Sequence, residues 1–70
     1  MTEIPKNLMQ SLLDEIERVK EIKAEYDKIP AGFFAATIME RDLKNAQEAI
    51  GTGDVSAMVR CLSHLKLYEL

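Results

Sequence analysis

Hydrophobic and polar residues follow one another along the first part of this chain with the spacing of an α-helix. Apolar residues recur at every third or fourth position and form one stripe, which comprises Leu8, Met9, Leu12, Leu13, Ile16, Val19, Ile22 and Tyr26. Charged residues occupy the other positions, as on a helix that packs one face against a core. The pattern predicts a first helix from about residue 6 to residue 28.

Two pairs of turn residues divide the chain into three segments. Pro30 and Gly32 end the first pattern, and Gly51 and Gly53 end the second. Proline fixes φ and glycine permits left-handed backbone, so both residue types favour turns. The segment between the two breaks keeps a three-four alternation and predicts a second helix over about 31–50, with Gly51 as its C-cap.

A third helix is predicted after the second break. Asp54 is a favoured N-cap residue, and the apolar pattern behind it extends the helix to about residue 68. The short loop makes the second and third helices an antiparallel αα-hairpin. No alternation of β-branched residues predicts a strand. We therefore expect one all-α domain over 1–70, in which a long N-terminal helix packs on a C-terminal hairpin.

The composition shows which residue types can build the core of this domain. The chain has 70 residues, of which 47% are hydrophobic and 6% aromatic, so aliphatic residues and methionine must build the core. A domain of this size has little surplus stability and is often stabilised by cross-links or partner subunits. The single Cys61 cannot form an intramolecular disulfide, which favours a reducing cytoplasm and stability from packing or assembly.

Charge and hydropathy weigh against two classes of partner. Nine basic and twelve acidic residues give a net charge of −3, so the chain lacks the overall basic surface that binds nucleic acid. No apolar run approaches the roughly 18 residues that a membrane span needs. The N-terminal residues also lack the pattern of a secretory signal. We expect a cytoplasmic protein without a membrane partner, and the charge weighs against nucleic acid as a partner.

Few residues of the chain are of types that act in catalysis or metal binding, and they do not form a known catalytic pattern. Cys61 and His64 are three positions apart, but zinc requires at least three protein ligands. A Cys–His nucleophile pair also needs a cleft and a third orienting group. The carboxylates of the first helix lie opposite its apolar stripe, and the glycines match no phosphate-binding spacing. We expect no enzyme activity, no cofactor and no metal.

Unequal helix lengths predict self-association. The first helix spans about 35 Å and the third about 22 Å at 1.5 Å per residue, so part of the apolar stripe would stay uncovered in one chain. Exposed apolar stripes mark interfaces, and two-fold dimers are their commonest form. The expected homodimer or higher oligomer would form through Met9, Leu12, Ile16 and Val19.

Two further groups of residues are candidates for binding a partner protein. Phe33 and Phe34 point about 100° apart on a helix, either as core anchors at the elbow between the first two helices or with one ring at an interface. The second group is a possible basic edge of the hairpin that would face an acidic protein; the alternative is ordinary solvated charge. It consists of Arg41, Lys44, Arg60 and His64.

The C-terminal part of the chain carries a family resemblance. Over roughly its last 40 residues, the sequence IPAGFFAA from Ile29 to Ala36, followed by Met39, Ala46, Ala49, Ile50 and the turn Gly53-Asp54-Val55, resembles small uncharacterised helical proteins encoded by phages and prophages. Residues 46–58 also resemble the turn of a helical-repeat hairpin, although one such unit does not make a repeat protein. The first resemblance implies a phage accessory role and carries over no site residue.

These observations predict a non-enzymatic protein-interaction module. It would self-associate, and the resemblance implies that it binds and modulates a host or defence protein. Two alternatives remain open at this point. One is an oligomeric protein that binds an anionic metabolite or nucleotide, and the other is a small DNA-binding regulator.

Overall fold

A computed structural model describes residues 6–69 of the chain and contains three α-helices. Helix α1 spans Lys6–Asp27, α2 spans Phe33–Thr52 and α3 spans Val55–Leu65, with a 3₁₀ turn at Pro30–Gly32 between the first two. No strand occurs within the described range. The predicted all-α architecture, a long helix packed on a C-terminal hairpin, is confirmed. The molecule is a rod of 45 × 17 × 15 Å.

The core forms where the apolar stripes of the three helices meet. Its buried side chains are Leu12, Ile16, Val19 and Ile22 from α1, Met39, Leu43, Ala46 and Ala49 from α2, and Met58 and Leu65 from α3. Alanines in α2 allow close approach of the neighbouring helices. With 20 residues against the 22 of α1, α2 is long enough to accompany the stripe of α1 along nearly its whole length. The comparison of α1 with α3 alone therefore overestimated the uncovered surface.

A tight elbow turns the chain from α1 into α2. The backbone N–H of Ile29 donates to the carbonyl oxygen of Tyr26 at 3.1 Å, and that of Gly32 donates to Ile29 at 2.8 Å. Gly32 is buried, and a Cβ atom there would collide with the main-chain carbonyl group of Tyr26. The elbow thus requires glycine for close approach, because any side chain would push α2 away from the end of α1.

The break between α2 and α3 lies later than predicted. Gly51 is inside α2, and Gly53 is the C-cap, with a left-handed φ of 70°. The hydroxyl of Thr52 donates to the carbonyl oxygen of Glu48 at 3.1 Å, within a helix that continues past residue 50. The N-cap prediction for Asp54 is confirmed, since its carboxylate accepts from the N–H of Ala57 at 3.1 Å.

Helix α3 ends at Leu65, earlier than its predicted end near residue 68. Arg18 of α1 donates to the carbonyl oxygens of Leu65 at 2.9 Å and Tyr68 at 2.7 Å. The Tyr68 hydroxyl donates to the carboxylate of Asp42 on α2. These hydrogen bonds to α1 and α2 hold the residues after Leu65 in a non-helical conformation. Apolar periodicity alone does not predict this end of the helix.

We predict opposite effects for two glycine-to-alanine substitutions. Gly32→Ala should lower the free energy of unfolding by about 1–3 kcal/mol, because the added methyl group meets backbone that cannot rotate away. The control, Gly51→Ala, should leave it unchanged or raise it by up to about 1 kcal/mol, since alanine favours a helix interior. A Cβ at Gly51 has nothing within 4 Å. Urea unfolding followed by circular dichroism measures both, and equal midpoints would contradict the role given to Gly32.

Candidate interaction surface

Both phenylalanines lie exposed at the elbow. Phe33 and Phe34 are each 76% exposed, and Ile29 beside them is 52% exposed. The interpretation of the two rings as core anchors is therefore wrong. They begin α2 directly after Gly32, which is the buried residue of the turn next to α1. We define Ile29, Phe33 and Phe34 as the elbow patch.

The two rings of the elbow patch occupy different sides of α2. Phe33 lines a shallow groove between α1 and α2 whose other residues are Lys23, Asp27, Ala36, Thr37 and Glu40. Within this groove the ammonium group of Lys23 lies 2.9 Å from the Asp27 carboxylate and 3.7 Å from that of Glu40. Phe34 is about 100° away around the helix. A partner that contacts both rings must therefore wrap around the first turn of α2.

An uncharged stretch of sequence underlies the elbow patch. From Ile29 to Met39 the chain contains no charged residue, and the nearest charges are Lys28 and Glu40. Apolar surface with a polar border is typical of interaction sites. This stretch is also the sequence signal that could have identified Ile29, which the helical periodicity did not single out.

The residues predicted for self-association lie mostly inside the molecule. Leu12 and Val19 are 0% exposed and Ile16 is 4% exposed, while Met9 is half-buried against the core. Helices α2 and α3 of the same chain cover them. The assignment of these side chains to a contact between chains is therefore corrected, since a second copy has no access to the three buried ones.

Two of the four predicted basic residues share a groove. Arg60 and His64 line a groove of about 360 Å³ between α2 and α3, which Arg41 and Lys44 do not line. The groove also contains acidic side chains; its lining residues are Asn45, Glu48, Ala49, Thr52, Asp54, Ala57, Arg60, Cys61 and His64. Charges of both signs make this groove mixed in character and not basic.

Cys61 in this groove is not activated as a nucleophile. Its side chain is half-buried, and burial raises the pKa of the thiol above its ordinary value. A reactive cysteine needs the reverse, a lowered pKa that generates thiolate near neutral pH. Among residues 6–69, no group of three or more histidine, cysteine, aspartate or glutamate side chains is placed to hold a metal ion.

Sequence reasoning missed a polar cluster at the end of α3. Asp42 is 9% exposed and accepts the hydrogen bond of Tyr68. Arg18, which bonds the chain end, is itself held by the carboxylate of Glu15 at 2.9 Å. The sequence could have indicated Asp42, because it is an acidic residue at a position of α2 that faces the core. The cluster ties the residues after α3 to both other helices.

Comparison with family models, curated proteins and solved structures found no match to this chain. The helices of the described residues include none with the length and apolarity to cross a bilayer.

We predict that Tyr68→Phe destabilises the fold by about 1–3 kcal/mol, because it removes the hydrogen bond of a buried carboxylate. Burial and the bond to Asp42 raise the pKa of Tyr68 to about 12 from 10.0. This stabilisation is therefore complete below pH 10 and is lost as pH rises from about 10 to 12. Urea unfolding across this range should show the wild-type advantage over the variant shrinking. A constant difference would contradict the assignment.

We also predict that Cys61 reacts slowly with iodoacetamide at neutral pH. Its raised pKa and partial burial leave little accessible thiolate. Mass spectrometry should record slower alkylation than for cysteine in a short peptide of the same local sequence, and urea should abolish the difference. Faster alkylation in the folded protein would show an activated thiol.

Proposed function

We propose that this protein is a non-enzymatic helical interaction module that self-associates and binds a partner protein through the elbow patch. The observation that carries the proposal is the exposure of Phe33 and Phe34, at 76% each. Aromatic side chains are enriched at protein interfaces and often dominate binding energy there.

The distribution of aromatic residues supports this function. The chain has two phenylalanines and two tyrosines. Tyr26 and Tyr68 pack against the core, whereas neither phenylalanine does. A small domain with few aromatic residues would gain stability by burying them. Their position at the elbow is explained if they become buried when a partner binds.

The class of partner rests on the resemblance of the C-terminal part to phage and prophage proteins. On that basis we propose a cytoplasmic accessory protein that binds and modulates a host or defence protein. The absence of a cysteine pair in the sequence is compatible with this compartment.

The two alternative functions find less support. A site for an anionic metabolite or nucleotide would use Arg60 and His64 in the groove between α2 and α3, but Glu48 and Asp54 line the same groove and repel anions. A DNA-binding regulator would need a basic face, and the chain carries a net charge of −3.

The proposal predicts that partner binding depends on the two exposed rings. The double variant Phe33→Ser/Phe34→Ser should keep the helical circular dichroism of the wild type, because the rings lie outside the core. It should lose partner proteins that the immobilised wild type retains from host lysate, identified by mass spectrometry. Titration of each purified candidate should then show at least a roughly thirty-fold weaker affinity for the variant.

A matched control uses an exposed apolar residue far from the elbow in sequence. Val59 on α3 is 50% exposed, and Val59→Ser should bind as the wild type does. Equal binding by the folded double variant would overturn the function proposed for the elbow patch.

A further inference from the structure

Helix α3 covers only part of the hairpin formed by α1 and α2. It has 11 residues against 22 and 20 in the other helices. The hydrogen bonds from Arg18 to Leu65 and Tyr68 place the end of α3 at the level of Arg18. From there α1 continues to Asp27, about 13 Å further at 1.5 Å per residue. Within the described range the rod is thus three helices thick at one end and two at the other.

The surface of α2 that faces α3 continues onto this two-helix end. Asn45 and Ala49 line the groove with α3, and Asp42 accepts the hydrogen bond of Tyr68 just after α3. Ile38 and Phe34 precede Asp42 by four and eight residues and therefore lie on the same side of the helix. Ile38 is half-buried and Phe34 is 76% exposed. The row ends in apolar side chains beyond the reach of α3.

The corresponding surface of α1 is also apolar beyond the end of α3. Ile22 and Tyr26 lie four and eight residues after Arg18, on the same side of α1. Ile22 is already covered within the chain at 4% exposure, whereas Tyr26 is half-buried and Ile29 just past the helix is 52% exposed. At the two-helix end, the position that a third helix would occupy is therefore lined by apolar side chains from both helices.

We propose that a second copy of this chain occupies that position, in a two-fold dimer whose two-helix ends overlap in opposite directions. This inference rests on the proposed self-association and specifies its surface; it places Phe34 in the dimer contact and leaves Phe33, on the other side of α2, to the partner protein. Each chain presents to its partner the side of Phe34 and Tyr26, so the same patch serves both subunits and the contact closes on itself. The overlap forms a four-helix segment between two three-helix ends.

The exposed apolar area on this side supplies part of what a dimer needs. A fully buried phenylalanine covers about 200 Å², so Phe34 at 76% exposure supplies about 150 Å² per chain, and Ile29 at 52% exposure adds to it. A specific interface buries about 800 Å² on each partner, of which somewhat more than half is apolar. The half-buried Tyr26 and Ile38 and the adjoining polar residues would supply the rest.

Charge favours a second copy over a lipid surface. No charged residue lies between Ile29 and Met39, so an overlap of this region need not bury an unpaired charge. Attraction to an anionic lipid surface would require an excess of basic residues. The charged residues nearest the elbow have both signs, and they are Lys23, Glu25, Asp27, Lys28 and Glu40.

The first test measures mass against concentration by analytical ultracentrifugation. The wild type should change from the 7.9 kDa monomer to twice that mass between about 1 and 100 μM. Phe34→Asp should raise the dimer dissociation constant at least about thirty-fold, while Val59→Asp should behave as the wild type. Circular dichroism verifies that both variants are folded.

Each other outcome overturns the proposal. A wild type that stays monomeric at 100 μM excludes the dimer, while the partner-binding experiment still tests the proposed function separately. A folded Phe34→Asp variant that dimerises normally, or a Val59→Asp variant that dissociates, places the contact elsewhere. A monomer that binds phosphatidylcholine vesicles through Phe34 makes the elbow patch a lipid-binding surface.

The overlapping arrangement also predicts the shape of the dimer. One chain is 45 Å long, and two chains that overlap only at their two-helix ends should reach a maximum dimension of about 70 Å. Small-angle X-ray scattering at a concentration where the dimer predominates measures this length. A dimer no longer than a single chain would show side-by-side packing and overturn the overlapping arrangement.

Discussion

The close approach of Gly32 to the carbonyl group of Tyr26 is the constraint on which the rest of the structure depends. It sets how near α2 starts to the end of α1, and therefore whether the two apolar stripes face each other along their lengths. Gly32 occupies this contact, and the two phenylalanines that follow it are exposed. One contact thus links the stability of the core to the exposure of the elbow patch.

A second set of interactions decides where the bundle stops being three helices thick. Arg18 bonds the carbonyl groups at the end of α3, and Asp42 accepts the hydroxyl of Tyr68. These polar contacts hold the tail across both α1 and α2, while the helices themselves are held by apolar packing. The positions of Arg18 on α1 and Asp42 on α2 determine how much of the α1–α2 hairpin is not covered by α3.

Sequence reasoning predicted what depends on local pattern. The three helices follow from apolar spacing, and the N-cap at Asp54 follows from residue type. The end of α3 could not be predicted, because Arg18 bonds residues 47 and 50 positions away along the chain. Nor could the exposure of Phe33, since hydrophobicity does not distinguish a core residue from one that a partner covers. The burial of Leu12 depends on how α2 packs along α1, and the apolar spacing within one helix does not predict this packing.

The separation of the elbow patch from the core has a consequence for how such a protein can change over generations. Side chains that are 76% exposed contribute little to folding, so substitutions at Phe33 and Phe34 change the exposed surface with little penalty in stability. The core residues of α1 and α2 can in turn be exchanged for others of similar volume without altering the contact surface. The fold and its exposed apolar surface are thereby free to evolve independently.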